Sequence, residues 1–151
     1  MKTQLEIENY VRQVLFTNRF AVLATESNSK PHACFIAISS ADNLTQLYFV
    51  TLRQTSKYNN LHNNQNVSIL FEYRNEDNNQ QNSTILTAFG KATELVDSNA
   101  DTILQSHLVR HPELHAFVLS SNCALFQVNV DAYQLILGIE DTIWWNINEL
   151  K

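Results

Sequence analysis

The sequence predicts a mainly β fold, an antiparallel barrel with flanking α-helices, built as a single domain over residues 1–151. Three observations predict it. Six or seven short runs rich in Val, Ile, Phe, Tyr and Thr recur along the chain. Polar turns of a few residues separate most of them, which favours antiparallel neighbours. Helical periodicity is confined to an opening segment, a short central one and an insertion before the last strands.

The elements follow in order. Thr3 to Thr17 has helical periodicity, with Ile7, Tyr10, Val11, Val14 and Leu15 on one stripe, and Thr3 with Glu6 fits a capping box. Phe20–Thr25 reads as a buried strand, Glu26–Lys30 as a hairpin turn, and Pro31–Ser39 as the second strand, with proline where a missing donor is harmless. Alternation puts His32, Cys34, Ile36 and Ile38 on one face of that strand and Ala33, Phe35 and Ala37 on the other. A turn over Ser40–Gln46, with Asp42–Asn43 at its tip, leads to the strand Leu47–Thr51. A polar turn and a helix from about Thr55 to Asn64 come next. Asn66–Tyr73 is a fourth strand, Arg74–Asn82 a solvated loop, and Ser83–Val96 a long strand in which Gly90 marks a bulge or a close backbone approach. Asp97–Arg110 is expected as a helix capped by Asp97 or Ser98, and Pro112 opens a second helix with His111 near its N-cap. Asn122–Val130, Ala132–Leu137 and Asp141–Asn148 close the chain as strands.

Composition narrows the function. Hydrophobic residues make up 44% and charged residues 17%, and the formal net charge is −5. A basic face for nonspecific nucleic-acid binding is not expected at that charge. No apolar run reaches membrane-spanning length, and Glu6, Glu8 and Arg12 sit where a signal peptide would need apolar residues. Cys34 and Cys123 lie far apart without a CxxC pair, so a reduced, cytoplasmic chain is expected. Only two glycines and two prolines are present, so turns fall to Asn, Asp and Ser. Asn and Gln together number 28, and their concentration at 59–66 and 75–82 reads as compositional drift.

The stretch Leu47–Asn64 holds the best candidate site. Thr51, Thr55, Ser56 and Lys57 place hydroxyls and an ammonium where a helix begins, which suits a phosphate; the same residues also fit an ordinary helix cap beside a surface lysine. His107, His111 and His115 are spaced like metal ligands, but the residue before a proline leaves the helical region, so they read as surface histidines on two short helices. Cys34 reads as a small core residue, and His32 either lines a pocket or does not. Trp144 and Trp145 point to opposite faces, one to the core and the other to a ligand or a subunit interface. No Ser-His-Asp order, Walker loop or dinucleotide fingerprint is present, and no metal site is expected.

The succession FAVLATESNSKPHACFIAI, LYFVTLRQTSKYNNLHNNQNVSILFEY and ILTAFGKATEL resembles the pyridoxamine 5'-phosphate oxidase-like family, the FMN-binding split barrels. The likeness runs from about Glu6 to Val96, and HPELHAF resembles the family's short late helix. It implies an FMN-binding homodimer with the flavin between subunits. By that resemblance Thr51 and Thr55, Ser56 and Lys57 hold the phosphate, while the backbone of Cys34, Phe35 and Ile36 runs beside the flavin ring. The implied function is an FMN-dependent oxidoreductase acting on a small-molecule substrate, with no catalytic side chain assigned. The rival readings are a non-enzymatic flavin- or haem-binding module and a degenerate relative with an empty cleft. The chain departs from the oxidases proper, which place basic residues where Cys34 and Ser39 stand, an arginine at Ser56 and a glutamine-like residue at Ile85. Their C-terminal Arg-and-His pattern is absent from GIEDTIWWNINELK. True pyridoxamine 5'-phosphate oxidase activity is therefore not expected.

Overall fold

The computed structural model describes residues 2–74, 83–119, 122–138 and 141–147. Its elements are α1 (Gln4–Thr17), β1 (Phe20–Ser27), β2 (Lys30–Ala37), β3 (Ser39–Ser40), β4 (Gln46–Leu52), α2 (Ser56–Asn63), β5 (Asn66–Arg74), β6 (Ser83–Glu94), α3 (Ala100–Arg110), a 3-10 turn over Pro112–Leu114, α4 (His115–Val118), β7 (Cys123–Leu137) and β8 (Asp141–Asn146). The loop read over Arg74–Asn82 lies, from residue 75, outside the described residues, as does the end of the last strand at Asn148.

All strand pairs are antiparallel, in the order β2-β1-β5-β6-β7-β4-β3, with β8 also on β7. The two ends of that order, β2 and β3, are consecutive in the chain and meet at Ile38. One corner therefore curls the sheet on itself, which gives the split barrel expected from the sequence.

Register explains why the inside is dry. Cys34, Leu23, Ile69, Ala88, Tyr133 and Trp145 lie directly opposite one another across six strands. All of that row is buried except Cys34, which is half-buried. A shift of one residue gives the outer row Phe35, Val22, Leu70, Thr87, Gln134 and Trp144. On this outer face Phe35 is 70% exposed, Trp144 53% and Leu70 44%. Trp144 and Trp145 thus divide as expected, one stacked on Phe89 outside and the other on Tyr133 within.

α1 begins with a capping box in which Thr3 and Glu6 each accept the other's backbone N–H. Val11, Val14 and Leu15 are buried, with Ile7 and Tyr10 packed beside them, so the predicted stripe is the one that meets the core.

Three expectations are corrected. The strands read as Asn122–Val130 and Ala132–Leu137 are one strand, β7. The apparent break is a bulge, because β7 carries the extra residue Asp131 opposite Phe89 and Gly90. A Cβ on Gly90 would stand 2.2 Å from the Asn129 carbonyl oxygen, so the bulge and the close approach are one feature. α3 starts at Ala100 with Asn99 as its cap residue; the Asp97 carboxylate instead accepts the Asn99 N–H at 2.9 Å in the turn before it. The asparagines of 59–66 are structural: Asn60 donates to Thr25 and Asn63 to Ser27, each at 3.3 Å, and Asn64 donates to Glu26. They stitch α2 along β1.

Turn work falls only partly to the residue types expected. Asn28 and Ser29 take positive φ at the tip of the β1–β2 hairpin, but so does Leu44, a buried leucine. Left-handed backbone costs a leucine on the order of 1–2 kcal/mol. Burial of its side chain and a 2.6 Å hydrogen bond from the buried Tyr133 hydroxyl to its carbonyl offset that cost.

Candidate functional site

β4 delivers the chain to the candidate site. Leu47, Phe49 and Thr51 point inward from it and are buried. After Leu52 the chain turns, and Thr55, in extended conformation, caps α2. Its hydroxyl accepts the Tyr58 N–H at 3.2 Å and donates to the Leu52 carbonyl at 2.8 Å. The Thr51 hydroxyl lies 3.5 Å from the Thr55 hydroxyl. Both threonine hydroxyls therefore face the turn and fasten it.

What remains for an anion is narrower than the sequence suggested. The backbone N–H groups of Ser56 and Lys57, in the first turn of α2, have no acceptor among the described residues. Ser56 is exposed and Lys57 half-buried, and neither side chain bonds to a described residue. Arg53, the other cation nearby, is engaged: it donates to the Cys123 carbonyl at 2.7 Å and pairs with Glu94 at 3.0 Å. Two amides, one hydroxyl and one ammonium form a cationic group at a helix start, where the partial positive charge of the helix adds to theirs.

β2 supplies the other half. Among the described residues it pairs only with β1, so one backbone edge is free. The half-buried Cys34 points inward, its thiol 3.8 Å from the Leu23 carbonyl, and Ile36 is buried. Phe35 points outward and stacks on Phe20 with ring centroids 5.4 Å apart. Beside these rings opens a cavity of about 410 Å³, also lined by Arg19, Val22, Leu70 and Glu72.

The asparagine stitches set how the halves relate. Asn60 reaches Thr25 and Asn64 reaches Glu26, so α2 runs along β1 with its start toward Leu23 and Ala24. Lys57 shares the helix face of Asn60 and Asn64, one turn earlier. Leu23 and Ala24 pair with Cys34 and Ala33 on β2. His32 is exposed and lines a second cavity, of about 390 Å³, with Asn28, Lys30 and Asn60.

The histidine cluster was misread from sequence. His115 is exposed as expected, but His107 and His111 are fully buried, with ring centroids 4.8 Å apart. Burial first, then His111 and Arg110, hold the His107 imidazole down to about 4, so it is neutral at pH 7. The four-residue spacing was the visible signal. A neutral imidazole in a core shares that spacing with a metal ligand. No group of three His, Cys, Asp or Glu suited to a metal occurs among the described residues. No described helix is long and apolar enough to cross a membrane.

The family model described as pyridoxamine 5'-phosphate oxidase matches residues 7–135. No curated protein matches the chain in sequence. Among solved structures, a haem-binding protein from Mycobacterium smegmatis superposes with a TM-score of 0.80 at 14% identity, over 90% of this chain and 56% of that one. An FAD-binding protein from Mesorhizobium loti gives 0.72 at 16% identity, over 88% and 94% of the two chains. General stress protein 26 from Bacillus anthracis gives 0.68 at 26% identity, over 93% and 98%. The chain thus spans little more than half of the haem-binding protein and nearly all of the other two. At 14% and 16% identity the likeness carries the fold alone.

Proposed function

The chain belongs to the pyridoxamine 5'-phosphate oxidase family, and from that premise we propose that it binds FMN and acts as an FMN-dependent oxidoreductase on a small-molecule substrate. The observation that carries this reading is the start of α2. It offers two unclaimed amides, the Ser56 hydroxyl and the Lys57 ammonium, while the nearest arginine is neutralised by Glu94. That donor set suits a phosphate monoester, and a cofactor ending in one is what it would hold.

The residues divide the work. Ser56 and Lys57 hold the phosphate. Thr51 and Thr55 position them by fixing the turn. The free edge of β2 at Cys34, Phe35 and Ile36 offers backbone donors and acceptors to the polar rim of a flat ring, and the Phe20–Phe35 stack gives the site an apolar wall. FMN when bound supplies the redox chemistry, and the protein supplies orientation and exclusion of water. The outer row from Phe35 to Trp144 supports a homodimer: it exposes three large apolar side chains, Phe35, Leu70 and Trp144, that a second copy would cover. The flavin would then lie between subunits.

The test is spectroscopic. Titration of FMN with purified protein should quench the flavin fluorescence saturably, riboflavin should bind more weakly, and a reduced nicotinamide should bleach the bound flavin. A Soret band on adding haem, without flavin quenching, would favour a haem module, for which the Mycobacterium smegmatis relative is the precedent by its name. Quenching with neither ligand would mean an empty cleft.

A further inference from the structure

The corner at Ile38, where β2 becomes β3 and the barrel closes, is held from outside by two histidine rings of the α3 end. The His107 Nδ1 lies 2.6 Å from the Ser39 hydroxyl, and the His111 Nε2 lies 2.8 Å from the Ile38 carbonyl. The Ile38 N–H donates to the Arg19 carbonyl at 3.0 Å. We propose that His107 and His111 form an acid-released clasp on this corner, so that protonation frees the end of the edge strand β2.

The two rings hold the corner through different partners. A carbonyl only accepts, so His111 carries its hydrogen on Nε2 and, when neutral, a bare Nδ1. That Nδ1 is buried and stands 3.5 Å from the Glu113 carboxylate. His107 differs. Its Nδ1 shares one hydrogen with the Ser39 hydroxyl, while its buried Nε2 has no hydrogen-bond partner among the described residues, so a charged ring there would be unsolvated, 4.8 Å from the His111 ring. The groups facing the pair limit any relief. α3 itself brings the Arg110 cation, the segment before β1 brings Arg19, and among the described residues the only carboxylate is Glu113, which Arg19 already holds through both oxygens at 2.9 Å. The corner contributes only a hydroxyl and a carbonyl. A proton on His107 is therefore taken up most readily when the corner opens and the ring meets water.

The sign follows from linkage. The folded His107 value, about 4, lies below the ordinary 6.5, so the open form binds the proton first as pH falls. Stability of the closed corner is full above about 6.5 and is lost progressively toward 4. Between pH 7 and pH 5 this raises the opening equilibrium about 20-fold. Any loosening of a flavin on Cys34–Ile36 rests on the proposed function; the clasp does not, and its test uses protein without ligand.

Hydrogen exchange of peptides covering residues 36–41, corrected for intrinsic rates, should show about a 20-fold loss of protection between pH 7 and pH 5. In His107→Asn, which keeps a polar atom near the Nδ1 position but does not titrate, protection should stay level. Equal loss in wild type and variant, or no loss in wild type, would overturn the proposal. A second measurement needs no variant: the His107 imidazole is titrated by NMR in wild type. A ring neutral at pH 5 supports the clasp, and one titrating near the ordinary histidine value overturns it.

Discussion

The start of α2 can be tested by weakening and strengthening it. Lys57→Ala removes the one unengaged ammonium of the anchor. A charged hydrogen bond contributes about 1.5–3 kcal/mol. Lys57 is only half-buried, so the low end applies and FMN affinity should fall about tenfold. Ser56→Arg adds a guanidinium at an exposed position whose present side chain bonds to no described residue, so little is lost in making it. A unit charge about 4 Å from another gains roughly 1 kcal/mol in water, and a dianion gains up to about twice that. Ordering the arginine side chain costs about 0.5–1.5 kcal/mol. The net gain is roughly 1 kcal/mol, about a three- to tenfold tighter complex. The assay is quenching of FMN fluorescence at two salt concentrations, with riboflavin as the ligand that lacks the phosphate. Both variants should leave riboflavin unchanged, and the arginine gain should shrink at high salt. If Lys57→Ala shifts FMN affinity less than twofold, or shifts riboflavin equally, the phosphate does not sit at this helix start.

Three further outcomes are expected. Gly90→Ala puts a methyl 2.2 Å from the Asn129 carbonyl oxygen inside a paired bulge, so the two strands must part; a loss of about 1–3 kcal/mol or more in denaturant unfolding is expected, and a change under about 0.5 kcal/mol would contradict it. Tyr133→Phe leaves the buried Leu44 carbonyl without its 2.6 Å donor, and should cost about 1–3 kcal/mol by the same assay. Phe35→Lys sets a charge on the exposed end of the outer row, so sedimentation, expected to show dimers for the native chain, should show monomers for the variant; an unchanged dimer would move the interface off this face.

Local grammar made much of the fold legible. The Thr3–Glu6 box, the β1–β2 hairpin and Gly90 each involve residues a few positions apart or one residue with a single conformational purpose. Their meaning survives without a tertiary partner. Asp131 is the instructive failure. An acidic residue between two apolar runs looks like a boundary, yet a bulge gives an extra residue the same exposure without ending the strand. Only the register against β6 separates the two.

The helix start at Thr55 was legible, but not which of its groups the fold would consume, for a related reason. Residue type says which groups are available; the fold decides which of them it consumes. Thr51 and Thr55 carry hydroxyls suited to a phosphate, and the turn takes both. Arg53 carries a charge, and Glu94, distant in sequence but near in the sheet, takes it. The 59–66 asparagines and the His107–His111 pair run the other way: polar residues read as surface or drift, spent by the fold on docking α2 and closing the barrel corner. For the asparagines and the histidines the partner lies far along the chain and could not be seen from the neighbouring residues. What survives that consumption at α2 is Ser56, Lys57 and two amides. An anchor so reduced has room to gain from one more cation, which is why the Ser56→Arg result discriminates more sharply than any loss of function.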